Sequence, residues 1–152
     1  MNIEFKKIDR TNYNECIELS LNEEQKKFVA PNMFSLVQAA YEPDLYPLGI
    51  YNDNKMVGFI LYDFDVELNG WSMSRFMVDV KYQNQGIGKM ALQKFVEFFI
   101  NKYGHIQLYT SASIDNQVVI ALYEKLGFEK KEVFEYEAGG TIYREVRMIV
   151  QL

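Results

Sequence analysis

Apolar and polar positions roughly alternate through Ile3-Glu4-Phe5-Lys6-Lys7-Ile8, the pattern of a strand with one buried face. Asn12 followed three residues later by Glu15 resembles a helix-start capping arrangement, with Cys16, Ile17 and Leu19 to Leu21 as the apolar positions behind it. Phe34, Leu36, Val37 and Tyr41 predict a second short helix that ends before Pro43. Two apolar runs rich in strand formers, Leu48 to Tyr51 and Met56 to Phe64, flank the polar Asn52-Asp53-Asn54 and predict a hairpin. Asn69-Gly70 marks the next turn and leads into a strand from Trp71 to Val80. From Met90 to Tyr103, Ala91, Phe95, Phe98 and Phe99 recur at helical spacing while Lys89, Gln93 and Glu97 line the other side, which predicts an amphipathic helix. Ile106 to Tyr109 reads as a short strand and Asn116 to Leu126 as a helix stopped by Gly127. Phe128 to Tyr136 and Ile142 to Val150 close the chain as a hairpin about Gly139-Gly140. This order predicts a mixed α/β fold, a meander first and a crossover later.

Composition narrows the function. No repeat, low-complexity tract or linker interrupts the 152 residues, so residues 1–152 read as one domain. With 16 basic and 21 acidic side chains, the net charge of -5 argues against a nucleic-acid partner and favours a small or cationic one. No apolar stretch approaches the roughly 18 residues of a membrane span, and no signal-like leader opens the chain. The lone Cys16 cannot form an internal disulfide. A cytoplasmic protein with no membrane partner is the expectation. With one histidine and one cysteine there is no Cys/His cluster for a metal site.

The stretch with most chemistry is Phe76-Met77-Val78-Asp79-Val80-Lys81-Tyr82-Gln83-Asn84-Gln85-Gly86-Ile87-Gly88-Lys89, a strand running into a glycine-containing turn that opens a helix. Unpaired amides at a helix start point outward, the helix dipole adds partial positive charge, and glycine lets an anion approach the backbone. Lys89 can add a full charge. Gly-x-Gly alone also serves ordinary tight turns. The segment is not a P-loop, because the Gly-Lys-Ser/Thr ending is missing, and it lacks the third glycine of a dinucleotide fingerprint.

Gln83-x-x-Gly86-x-Gly88 is followed by Asn116-x-x-x-x-x-Leu122-Tyr123-x-Lys125-x-Gly127-Phe128. Together these resemble the two signature motifs of the GNAT superfamily of acetyl-CoA-dependent N-acetyltransferases, and the order of elements resembles that fold over nearly the whole chain. The resemblance implies a central, mostly antiparallel twisted sheet flanked by helices, with strands near Val78 and Tyr109 splayed around an acetyl-CoA slot. It implies cofactor contacts from Phe76, Met77 and Val78 to the pantetheine arm, from Gln83, Asn84, Gln85, Gly86, Ile87, Gly88 and Lys89 at the phosphates, and from Asn116 on the other side of the arm. Tyr123 matches the family's general acid, where a phenol would protonate the leaving CoA thiolate, although a tyrosine at helical spacing also serves packing. The oxyanion of the tetrahedral intermediate falls to a backbone amide near Val78.

Glu23 to Asn32, Pro47 to Tyr51 with Val57-Gly58-Phe59, and Arg75 to Asp79 further resemble the bacterial spermine/spermidine acetyltransferase branch. That branch commonly has a glycine where this chain has Asn84. The implied reaction is direct transfer of acetyl to a primary amine of spermine or spermidine, with a homodimer expected from the same resemblance. An amine of pKa about 10.4 costs roughly 4 to 5 kcal/mol to deprotonate at pH 7, so a base or water chain should help. Glu23 and Glu24, in the branch-like segment, are nominated to hold the polyamine's ammonium groups, with Glu42, Asp44 and Asp63 behind them. Two alternatives stay open: another acceptor, such as a protein N-terminus, a lysine side chain or an aminoglycoside, and a non-catalytic CoA-binding module.

Overall fold

The computed structural model describes residues 1–152. Its strands are β1 (Ile3–Lys7), β2 (Leu45–Asn52), β3 (Lys55–Asp65), β4 (Gly70–Val78), β5 (Gln107–Ser113), β6 (Glu129–Ala138) and β7 (Thr141–Gln151). The helices are α1 (Tyr13–Glu18), α2 (Asn32–Tyr41), α3 (Ile87–Tyr103) and α4 (Gln117–Lys125), with short 3-10 turns at Lys26–Phe28 and Val80–Tyr82. All seven strands form one sheet in the order β1-β2-β3-β4-β5-β7-β6. Every pair is antiparallel except β4 with β5. The mixed α/β fold with a mostly antiparallel sheet is therefore present.

Alternation along the strands gives the sheet two apolar faces. One packs against α3 and α4, where Met73, Val78, Leu108, Ala112, Val146 and Met148 meet Ile87, Ala91, Leu92, Phe95, Phe99, Ile120 and Tyr123. Each fully buried large apolar side chain there contributes about 1.5–3 kcal/mol. The other face packs against α1 and α2, with Tyr51, Met56, Phe59, Leu61 and Met77 around Cys16, Leu36 and Ala39. Cys16 is fully buried and its thiol is pushed up to about 12 by burial, so it serves as a small apolar group.

Several boundaries differ from the sequence pattern for identifiable reasons. β2 begins at Leu45 and runs through Pro47. The Pro47 carbonyl accepts from Ile8 N on the β1 side, just past the last β1 pair at Lys7 and Leu48, so the missing proline N–H leaves no gap in the ladder. α3 starts at Ile87 rather than Met90, because Gly86 takes a left-handed φ of 81° and turns the chain directly into the helix. β4 ends at Val78, where Asp79 caps a 3-10 turn by accepting from Lys81 N. Asn12 does precede α1 but does not cap it: its Oδ1 accepts from Asp9 N at 2.8 Å, while Glu15 accepts from Met56 N at 3.1 Å. β5 extends to Ser113 because β7 pairs with it along its whole length, which its polar Thr110, Ser111 and Ser113 do not advertise.

Candidate active site

β4 and β5 pair only from Trp71 and Leu108 to Met73 and Thr110. There the ladder ends, and Thr110 Oγ1 donates to Met73 O at 2.8 Å, satisfying a carbonyl at the fork. On the β3 side the register slips between Leu61/Arg75 and Tyr62/Met73, which makes Ser74 the extra residue of a bulge. Beyond this point β4 follows β3, β5 follows β7, and a slot opens between them. The resulting cavity of about 490 Å³ is lined by Ser74 to Val78 on one lip and Ser111 to Ser113 on the other. It reaches Gln83, Asn84, Gly86, Gly88 and Lys89 at the start of α3, and Asn116 and Tyr123 on α4.

At the α3 end the site is built from backbone. Asn84 and Gly86 both adopt left-handed φ, 61° and 81°, and asparagine is the non-glycine residue that best tolerates this conformation. The departure from glycine at position 84 therefore keeps the turn. No atom lies within 4 Å of where a Gly86 Cβ would sit, so the approach to the helix start is open. The first-turn amides of the 17-residue α3 have no carbonyl partner in the chain. These features, with exposed Lys89, fit a pyrophosphate. The Gln83 amide nitrogen donates to Val78 O and to Gln25 Oε1, both at 2.9 Å, and so ties the turn to the strand and to the segment before α2. Gln85 is exposed and Ile87 is buried in the core; neither side chain lines the cavity.

On α4, Asn116 is the N-cap and its Oδ1 accepts from Val119 N at 3.4 Å, which keeps its side chain at the cavity. The other end of the helix closes as a Schellman motif: Gly127 N donates to Glu124 O, Phe128 N donates to Tyr123 O, and Gly127 has a φ of 97°. The Phe128 ring packs on the Tyr123 ring at 5.6 Å. The spacing Tyr123-x-Lys125-x-Gly127-Phe128 is thus a helix stop that orients Tyr123. Its side chain is buried beside Thr110, and burial holds the phenol well above its ordinary value, with the Glu145 charge adding to the rise. Gly127→Ala should cost about 1–2 kcal/mol through left-handed strain alone, since its Cβ would meet only Val150 Cγ2 at 3.5 Å. Chemical denaturation would measure it, with acetyl transfer reduced in parallel if the stop orients Tyr123.

The face of the slot toward α2 carries residues that the sequence pattern did not single out for this site. Glu145 of β7 is buried; Ser111 Oγ donates to its Oε1 at 2.6 Å and Tyr136 Oη donates to its Oε2 at 3.1 Å. Burial raises its pKa, while those two bonds and the charges of Arg75 and Arg147 oppose the rise. Arg75 is also buried, donating to Ser35 Oγ at 3.0 Å and Gln38 Oε1 at 2.7 Å, with its guanidinium 5.5 Å from the Phe34 ring. Its Nε is the one buried side-chain nitrogen or oxygen without a partner. Glu23 and Glu24 lie elsewhere: both are exposed, Glu23 pairs with Lys26 at 2.6 Å, and neither lines the cavity. Their neighbours Asn22, Gln25 and Phe28 line the cavity instead, with Gln25 bonded to Gln83.

The acetyltransferase (GNAT) family profile matches residues 11–128, which include both glycine-turn and Asn116-to-Phe128 segments. The chain belongs to the GNAT family of acetyltransferases. As a GNAT acetyltransferase it is similar to the spermine/spermidine N(1)-acetyltransferase of Bacillus subtilis (strain 168), 25% identical over 153 residues, spanning 96% of this chain and 100% of that relative. It is 30% identical over 100 residues to the ribosomal protein bS18-alanine N-acetyltransferase of Escherichia coli (strain K12), spanning 66% of each chain. Among solved structures, spermidine N-acetyltransferase from Vibrio cholerae in complex with CoA and spermine matches with TM-score 0.74 and 13% identity, covering 98% of this chain and 95% of that one. A ribosomal L7/L12 alpha-N-protein acetyltransferase in complex with coenzyme A matches with TM-score 0.75 and 12% identity, covering 99% and 94%. The GNAT fold of this chain thus has structural neighbours that bind CoA, with both small and protein amines named among their substrates. No group of three or more His, Cys, Asp or Glu side chains is placed to hold a metal ion, and no helix is long and apolar enough to cross a membrane.

Proposed function

We propose that this GNAT enzyme transfers acetyl directly from acetyl-CoA to a primary amine of a polyamine such as spermidine or spermine. The observation that carries the reading is the two-sided slot. Its α3/α4 side offers amides and Lys89 to an anion, and its α2 side offers a buried carboxylate. Further acidic groups stand near that second side. Asp63 accepts from the Ser74 hydroxyl at the bulge, and burial together with the charges of Asp65 and Glu42 pushes its carboxyl up to about 6. Glu145 lines the cavity and Asp63 is held by the lining residue Ser74, so one carboxylate can meet the reacting ammonium and a second stands behind the wall of the slot. The full-length similarity to the Bacillus subtilis enzyme supports the same acceptor class.

In this reading Asn84 to Lys89 hold the CoA phosphates, and Phe76 to Val78 with Asn116 flank the arm. An amide near Val78 stabilises the oxyanion, and Tyr123 protonates the departing thiolate. Both substrates occupy the slot together. A second reading, acetylation of a peptide N-terminus, has one observation in its favour: the 30% identity over 100 residues to an enzyme named for acetylating a ribosomal-protein alanine. Thiol release from acetyl-CoA should be measured with spermine, spermidine, short diamines, lysine peptides and an alanine-terminated peptide. The polyamine reading expects the highest kcat/KM with the triamine and tetraamine. Preference for the alanine peptide would replace it with the second reading, and CoA binding without turnover on any amine would defeat both.

A further inference from the structure

Of the buried ionisable side chains that face the slot, Glu145 is the one carboxylate, and it belongs to a strand outside both signature motifs. Alternation on β7 sends Val146 and Met148 to the α3/α4 core and Glu145 to the opposite face, where it lines the slot. Two hydroxyls, from β5 and β6, hold one carboxylate oxygen each. A carboxylate oxygen has a second acceptor direction, so both remain able to bond a further donor. The charged and titratable groups around it are Arg75 from β4, Tyr123 from α4, Tyr136 from β6, and Tyr143 and Arg147 on its own strand. Arg75 is hydrogen-bonded to α2 and makes no ion pair with Glu145, so the carboxylate is not already neutralised by contact.

We propose that Glu145 is the group that receives the acceptor's ammonium and takes its proton, with Ser111 and Tyr136 as positioning residues. The proposal rests on the amine-acetylation reading and is indifferent to which primary amine is used. At pH 7 only about one alkylamine in 2,500 is neutral in water, so the attacking form must be made in the slot. The ammonium's first proton passes to Glu145 and on to solvent. The freed lone pair forms the C–N bond at the thioester carbonyl, and collapse of the tetrahedral intermediate breaks the C–S bond. The second nitrogen proton replaces the one that Tyr123 delivers to the CoA sulfur. The sum is an acetylamide, CoA thiol and one released proton.

Glu145→Gln keeps the shape and removes the charge. It should lower kcat/KM for the amine about 100-fold near neutral pH, leave CoA affinity within about twofold and remove the limb set by Glu145, leaving only the steady rise with pH that tracks the amine's own ionisation. Tyr136→Phe and Ser111→Ala retain the carboxylate but each remove a bond that favours its ionised form. Their acidic limb should therefore move to higher pH than in the unaltered enzyme. The amine is the same throughout, so its own ionisation cancels in these comparisons. Turnover of Glu145→Gln within threefold of the unaltered enzyme overturns the proposal, as does equal loss of CoA binding, which would mark a packing role. If Glu145→Gln does not fold, an unmoved limb in both hydroxyl variants overturns it. An unaltered protein that acetylates no amine fails at the reading beneath, a result distinct from any of these.

Discussion

Tyr123→Phe is expected to reduce kcat by between about 10²- and 10⁴-fold while CoA affinity stays within about threefold. Phenylalanine keeps the ring that packs on Phe128 and the backbone carbonyl that closes the helix stop, so the fold loses only the phenol. The effect is large because the departing thiolate would otherwise leave unprotonated. Burial raises the phenol's pKa, so it stays protonated, and able to donate, beyond its ordinary value near 10. The variant should therefore lose activity at every pH from 6 to 9 by a similar factor. Single-turnover kinetics and CoA titration separate this from a packing role, which would lower CoA affinity, melting temperature and turnover together.

Gly58→Ala should be the most destabilising single-methyl change in the sheet. A Cβ at position 58 would stand 2.5 Å from Met77 O and 3.0 Å from Ile50 Cδ1. The first of these is backbone, so β3 and β4 must move apart, at a cost of about 2–3 kcal/mol. For a chain of this size that corresponds to a fall of about 5–10 °C in melting temperature. Met77 and Val78 form one lip of the slot, so CoA affinity should fall as well. Gly104→Ala is the control. With φ 93° and ψ -175° it sits in a region that side chains avoid, yet nothing lies within 4 Å, so about 1–3 kcal/mol of backbone strain and unchanged CoA affinity are expected. Unchanged CoA affinity in Gly58→Ala as well would show that the crowding against β4 does not reach the slot.

The features legible in the sequence are those closed within a few residues. Gly86 and Gly88 at a helix start, Asn116 as an N-cap and Gly127-Phe128 as a stop are all local hydrogen-bond problems, with donors and acceptors one turn apart. The stripe of Ala91, Phe95 and Phe99 belongs to the same class, since helical spacing alone puts these residues on one face. The α3 start was harder to read, because a left-handed glycine can sit within a loop or end one.

What lies far apart in the chain was decided by pairing across the sheet. Glu145 meets Ser111 and Tyr136 because β7 inserts between β5 and β6, and it faces Arg75 because the bulge at Ser74 and the end of the β4/β5 ladder open the slot. Nothing in the spacing of these residues marks one glutamate among 21 acidic side chains as buried. Around the branch-like Glu23 and Glu24, the side chains that line the cavity are Asn22, Gln25 and Phe28, while the two glutamates are exposed outside it. The sequence by itself determined the family, the glycine turn at the start of α3 and the helix stop beside Tyr123, since their geometry is local. Only the tertiary structure decided which carboxylate is buried at the slot, because burial and long-range strand order, not residue type, single it out.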